Sequence, residues 1–334
     1  MGDDLPPINF PFGLKVDQMV RGWYHAGMIS TTGSLFMWGR KNFGGLGLSH
    51  SNNIGVSGSE MGEYLQETQV GSGMKVFVAQ SGLYHTCVIL DNYEMKCFGL
   101  NSSGQLGYGD SNHRGNDPNE LGDYLPEVNL GSGLTAQSLH LGQSHSCVLL
   151  NDDSFKCFGD NLDGQLGIGN TNNQGDQPNE MGDYLGPINI GTGVEIQECF
   201  DYSPTSSPSL SSAPSFFSIS KCSSQFSFLD SNCILTSSSQ LKCFGANPNG
   251  QLGYGDAIHR GDSANQMGNY LPFISLGTGE EMINVQSGSG AFCAQVLAGF
   301  QIKCWGYNLV FILLLIYFRI SYFINFFLSF SMVN

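Results

Sequence analysis

Basic side chains are scarce in this 334-residue chain, with 13 Lys and Arg against 28 Asp and Glu and a formal net charge of −15. It has no run of Lys or Arg, and a field of this sign repels phosphate backbones, so no nucleic-acid partner is expected. Charged residues of both signs reach only 12%, and helical periodicity is missing ahead of the C-terminal tail, which argues against a long-helix protein. The opening residues Met1-Gly2-Asp3-Asp4-Leu5-Pro6 lack the basic and apolar regions of a secretory signal. Pro6 also stands where N-myristoylation requires Ser or Thr. No C-x2-C element supports a zinc site, and Gly45-x-Gly47 opens no βαβ phosphate loop. No Ser/His/Asp or paired-carboxylate set stands out, so neither a cofactor nor a bond-making active site is expected.

Glycine, by contrast, is abundant at 45 residues, alongside 41% hydrophobic residues. That balance suits many short strands joined by tight turns. The turns recur. Met61-Gly62-Glu63-Tyr64-Leu65 is followed at 60-residue intervals by Leu121-Gly122-Asp123-Tyr124-Leu125 and Met181-Gly182-Asp183-Tyr184-Leu185, then after 86 residues by Met267-Gly268-Asn269-Tyr270-Leu271. Gly104-Gln105-Leu106-Gly107 returns at Gly164 and Gly250, with a weaker copy at Gly44. An aromatic-Gly pair closes each of five hairpins, at Trp38, Phe98, Phe158, Phe244 and Trp305. His85–Leu90, Asp91–Glu94 and Met95–Gly99 read as strand, turn and strand, and His145–Gly159 repeats the pattern. One such unit cannot bury both faces of its small sheet, so units must stack. The expected fold is therefore all-β, a β-propeller of about five repeats.

These motifs resemble the repeats of the regulator-of-chromosome-condensation family, whose unit carries a G-x-x-H-(T/S)-x strand, a (C/W)-x-G strand end and a G-Q-L-G-x-G turn. The resemblance covers residues 1–308 apart from one insertion. It implies a propeller, typically of seven blades, that serves as a protein-binding platform or as an exchange factor for a small GTPase. Five copies of a longer unit leave the ring short of that number. The expected primary role is a non-enzymatic scaffold that presents inter-blade loops to a protein partner. Nucleotide exchange on a small GTPase is the alternative, and a secreted or membrane-tethered adhesion module is a third reading.

The units fall at 1–60, 61–120, 121–180, 181–266 and 267–308. Met1–Pro6 matches the word at Met61, so it either supplies a strand to the last blade or continues a repeat that begins upstream. A Ser/Pro-rich insertion at about 200–228 is expected to form a disordered or O-glycosylated loop, or to be translated non-coding sequence. Residues 309–334 form an apolar tail. Its stretch 309–330 is long enough to span a bilayer, although Arg319 stands inside it; a membrane anchor and an altered reading frame are both open.

Eight of ten cysteines fall into hairpin pairs: Cys87 with Cys97, Cys147 with Cys157, Cys233 with Cys243, and Cys293 with Cys304. A turn centred near Asn92 sets Cys87 opposite Cys97, within reach of a disulfide. The first unit lacks both members together, having Gly27 and Met37 there, as expected of a bonded pair. Reduced, buried thiols are the other reading. Oxidised pairs would place the chain outside the cell or on a membrane anchor, and reduced ones in the cytoplasm. Cys199 and Cys222 flank the insertion as a further candidate pair.

Asn101-Ser102-Ser103 is a glycosylation sequon. His25, His85 and His145 share one repeat position and are expected to bond backbone groups. Asp110, Asn112, Asp117, Glu120 and Asp123 form an acidic loop better suited to solvent than to calcium. Arg260-Gly261-Asp262 reads as ordinary turn chemistry.

Overall fold

The computed structural model describes residues 8–11, 13–49, 52–196, 225–228, 230–278, 280, 282–288, 291–296 and 301–306. Residues 1–7, most of the 200–228 insertion with Cys199 and Cys222, and the 309–334 tail lie outside them. Among the described residues every regular element is a strand or a short 3-10 turn, and no helix is long and apolar enough to cross a membrane.

Five three-stranded antiparallel sheets follow one another along the chain. The first contains β1 (Val16–Arg21), β2 (His25–Ser30) and β3 (Leu35–Gly39). The second contains β4 (Val76–Ser81), β5 (His85–Leu90) and β6 (Met95–Gly99). The third contains β7 (Ala136–Leu141), β8 (His145–Leu150) and β9 (Phe155–Gly159). In the fourth are β10 (Gln225–Phe228), β11 (Ser231–Leu235) and β12 (Leu241–Gly245). The fifth is built of β13 (Met282–Gly288), β14 (Ala291–Val296) and β15 (Ile302–Gly306). Consecutive sheets pack side by side as propeller blades do, without closing into a ring among the described residues.

The hairpins keep one register. His85 faces Gly99 and Cys87 faces Cys97, just as His145 faces Gly159 and Cys147 faces Cys157. The tight turn needs a left-handed residue at its third position, filled by Gly33 (φ 86°) in the first hairpin and by Tyr93 (φ 66°), Asp153 (φ 63°) and Ser239 (φ 59°) in later ones. The strand ahead of each hairpin was not apparent in the sequence. A register shift interrupts it at Val76/Val78 and at the matching place in three other sheets, which breaks the alternation that marks a strand.

The recurring words are the two halves of one inter-sheet joint. Gly107 lies at φ 73°, and a Cβ there would fall 2.7 Å from the Phe158 ring of the next hairpin. Gly47 meets Phe98, Gly167 meets Phe244 and Gly253 meets Trp305 in the same way. Leu46, Leu106, Leu166 and Leu252, between these glycines and their predecessors, are fully buried. The G-Q-L-G turn thus seats the aromatic-Gly pair of its neighbour, and each junction holds a dry core.

Candidate functional site

The histidines link one sheet to the next. His25 Nε2 lies 3.0 Å from Thr86 Oγ1, His85 Nε2 3.0 Å from Ser146 Oγ, and His145 Nε2 3.1 Å from Asn232 Oδ1. Thr86 and Ser146 give their own protons to the carbonyls of Gly45 and Gln105, at 2.9 and 2.8 Å. They must therefore accept from His25 and His85, which fixes the Nε2–H tautomer. Side chains of the next sheet thus hold the rings, beside a backbone hydrogen bond from the next histidine position that acts on His25 and on His85. Burial pushes the pKa down to about 4 at His25, 3 at His85 and 4 at His145, and at His85 the neighbouring His145 and His25 add to it. The rings are neutral, and each Nδ1 is buried without a hydrogen-bond partner among the described residues. The glycine of the G-x-x-H motif leaves room for the ring: a Cβ on Gly142 would lie 2.0 Å from His145. In the fourth and fifth sheets both partners change, to Ser231 and Phe292.

A second recurring group escaped sequence reading. Lys96 Nζ donates to the carbonyls of Val70 and Gly122 at 2.9 and 3.0 Å, and Lys156 and Lys242 repeat the clamp. Burial lowers the pKa of Lys156 and of Lys242. The signal was present as the lysine repeated two places before each Phe-Gly, but a buried lysine is uncommon enough to be read as a surface residue.

Each hairpin cysteine pair sits directly cross-strand with Cα atoms 4.1 Å apart and sulfurs at bonding distance. The backbone N–H of Cys97 donates to Tyr108 Oη at 3.0 Å rather than to β5, which marks a non-hydrogen-bonded pair, the closer of the two antiparallel spacings.

The glycosylation reading of Asn101 needs correction, because the residue is fully buried. Its Nδ2 donates to the Asp110 carbonyl at 2.7 Å and its Oδ1 accepts from Leu106 N–H at 2.9 Å, which leaves no space for a glycan in the folded unit. The acidic loop is internally bonded too. Glu120 Oε2 accepts from three successive amides, of Gly115, Asn116 and Asp117, and Asp110 pairs with Arg114 at 2.8 Å. Hydrogen bonds from Arg114, chiefly, hold the Asp110 carboxyl below its usual range. In Arg260-Gly261-Asp262 the arginine is likewise held by Asp256, at 2.7 Å.

One junction presents aromatic rings to solvent. Tyr24 and Tyr84 stack with centroids 5.1 Å apart, and the Arg40 guanidinium lies over both, at 5.3 and 5.9 Å. Phe43 packs edge-on against Tyr84 and His113, at 5.5 and 5.0 Å. Trp23, Tyr24 and Phe43 are 46%, 46% and 38% exposed. Two repeats later the same rim is acidic: Asp160, Asp163 and Asp230 take the places of Arg40, Phe43 and Tyr84. Burial, followed by repulsion from Asp160 and Asp163, raises Asp230 to about 6, and His259 Nδ1 lies 3.2 Å from Asp163. Sequence reading missed this rim because its members stand just outside the recurring words.

Three-stranded blades with side-chain links between them define a repeat protein of the β-propeller class. The family model "Regulator of chromosome condensation (RCC1) repeat" matches residues 77–105 and 139–165. Those two stretches are repeats of the regulator-of-chromosome-condensation type. The chain is 24% identical to the probable E3 ubiquitin-protein ligase HERC4 of Homo sapiens over 265 residues, 78% of this chain and 20% of that protein. It is 28% identical to the human X-linked retinitis pigmentosa GTPase regulator over 149 residues, 45% of this chain and 13% of that protein. The chain thus matches a fifth or less of the length of these relatives. Among solved structures it resembles Prp20p of Saccharomyces cerevisiae, with a TM-score of 0.57, 14% identity, and coverage of 88% of this chain and 59% of that one.

Proposed function

We propose that the chain is a non-enzymatic scaffold that docks a protein partner on the aromatic rim between its first two sheets. The supporting observation is the solvent-open set of Trp23, Tyr24, Arg40 and Phe43, gathered on the half-buried Tyr84. Exposed aromatics and arginine are the residue types that dominate protein–protein hot spots, and the Tyr24–Tyr84 stack holds Arg40 ready, which lowers the ordering cost of binding. The test is affinity capture with wild-type chain and with Arg40→Ala/Tyr84→Ala, checked for intact fold by circular dichroism. Specific partners should be retained by the wild type and lost from the double variant. Equal retention by both would remove the rim from the binding surface.

A regulator of a small GTPase is the second reading. It is favoured by the resemblance to a GTPase regulator and to Prp20p, a protein studied for its binding to Gsp1p and histones. Accelerated nucleotide release from a small GTPase would support it, and no acceleration across a panel would exclude it. The paired cysteines favour the third, extracellular adhesion reading, for which the oxidation state is the deciding observation.

A further inference from the structure

The groove between the third and fourth sheets differs chemically from its sisters. In the second unit Tyr108 fills the corresponding space. Its hydroxyl accepts from Cys97 N–H and faces the carbonyls of Cys97 and Pro126 at 3.0 and 3.1 Å. Arg114 lies 4.1 Å from the Tyr108 ring centroid and is paired with Asp110. Tyr254, Pro272, Arg260 and Asp256 repeat the arrangement in the fourth unit. In the third unit all four positions change together, to Ile168, Gly186, Gln174 and Asn170. These four line a groove of about 690 Å³, within the range of small-molecule sites.

No charged side chain lines this groove, although the chain carries a net charge of −15. Its polar groups are amides with spare capacity. No hydrogen bond among the described residues uses Nδ2 of Asn170 or of Asn189, whose Oδ1 atoms accept from Asn172 and Gly191. Gln174 donates through Nε2 to Asn173 and keeps Oε1 open. At the rim Tyr270 is 70% exposed and presents a flat apolar face.

We propose that this groove binds a neutral saccharide. A sugar hydroxyl both donates and accepts, so neighbouring hydroxyls match the mixed donors and acceptors of Asn and Gln side chains. The apolar face of a sugar ring suits the exposed Tyr270 ring. A charged ligand would find no counter-charge in the lining.

Isothermal titration of the full chain against cellohexaose, mannohexaose and N-acetylchitohexaose tests this, with polygalacturonate and an acetylated, amidated Gly/Ser/Asn hexapeptide as the anionic and peptide arms. At least one neutral oligosaccharide should bind saturably with Kd below about 1 mM. Tyr270→Ala should weaken it roughly tenfold, whereas Tyr124→Ala, an equally exposed tyrosine of the same recurring word that lies outside this groove's lining, should leave it unchanged. Ile168→Tyr with Gly186→Pro, which restores the residues of the second unit, should abolish binding. Should that pair fail to fold, the two tyrosine variants decide, since both residues are exposed. The proposal is overturned if no neutral oligosaccharide saturates, if polygalacturonate or the peptide binds in preference, or if Tyr270→Ala and Tyr124→Ala behave alike.

Discussion

His85 Nε2 and Ser146 Oγ lie 3.0 Å apart, 61 residues apart in sequence, and join the second sheet to the third. Ser146 passes its own proton to the Gln105 carbonyl, so one hydroxyl serves both sheets. Ser146→Ala would leave the His85 N–H and the Gln105 carbonyl unpaired in the core, at a cost of about 1–3 kcal/mol. Urea unfolding of Ser146→Ala, His85→Ala and the double variant should show the two costs failing to add.

The same histidines set an acid limit. Their folded pKa values, about 3 to 4, lie below the unfolded value near 6.5. Above pH 6.5 both states hold the rings neutral, and no stability is lost. As pH falls from 6.5 towards 4 the unfolded chain takes up protons that the folded chain refuses, so stability declines. Three such sites give a slope of at most about 4 kcal/mol per pH unit. Asp230, raised to about 6, acts in the opposite sense and offsets part of one site. Thermal melts at pH 7, 6, 5 and 4 should fall steadily, and the His85→Gln variant should flatten the decline.

Much of this was legible in advance. The 60-residue words gave the sheet count and the hairpin register, because a turn and its flanking strands are encoded within about 15 consecutive residues, as from His85 to Gly99. In four of the five sheets the strand ahead of the hairpin was hidden by its bulge. The histidine and lysine links were hidden because their partners stand a whole repeat away, so that no local pattern joins His25 to Thr86 or Lys96 to Gly122. Asn101 misled because a sequon reports three residue types and says nothing of burial.

The left-handed residue at the hairpin turn offers a stabilising change. Tyr93 adopts φ 66° while 56% exposed, where the first hairpin has Gly33. Tyr93→Gly relieves backbone strain of about 1–2 kcal/mol and loses part of that to the freer unfolded chain. A net gain of about 0.5–1 kcal/mol is expected by urea denaturation, and a loss would show that the ring has packing partners in solution.

Gly107→Ala should do the reverse. Its Cβ would meet Phe158 at 2.7 Å from a left-handed backbone, so overpacking and strain combine to cost about 2–4 kcal/mol. A melt matching the wild type would detach the G-Q-L-G turn from its role as the seat of the next blade.

Four hairpin bridges are expected in unreduced protein. Mass spectrometry of a non-reduced digest should recover Cys87–Cys97, Cys147–Cys157, Cys233–Cys243 and Cys293–Cys304 as linked pairs. Each bridge should contribute about 2–3 kcal/mol. Free thiols at all eight positions would favour the cytoplasmic readings over the extracellular one.

Partner docking at the aromatic rim is most directly tested by photo-crosslinking from that rim. A benzoylphenylalanine in place of Tyr24, and separately in place of Tyr93 at an exposed hairpin tip, would be irradiated with cell extract and with intact cells. The expected result is discrete protein adducts from position 24 that position 93 does not give and that Arg40→Ala suppresses. Equal adducts from both positions, or none from position 24, would contradict it.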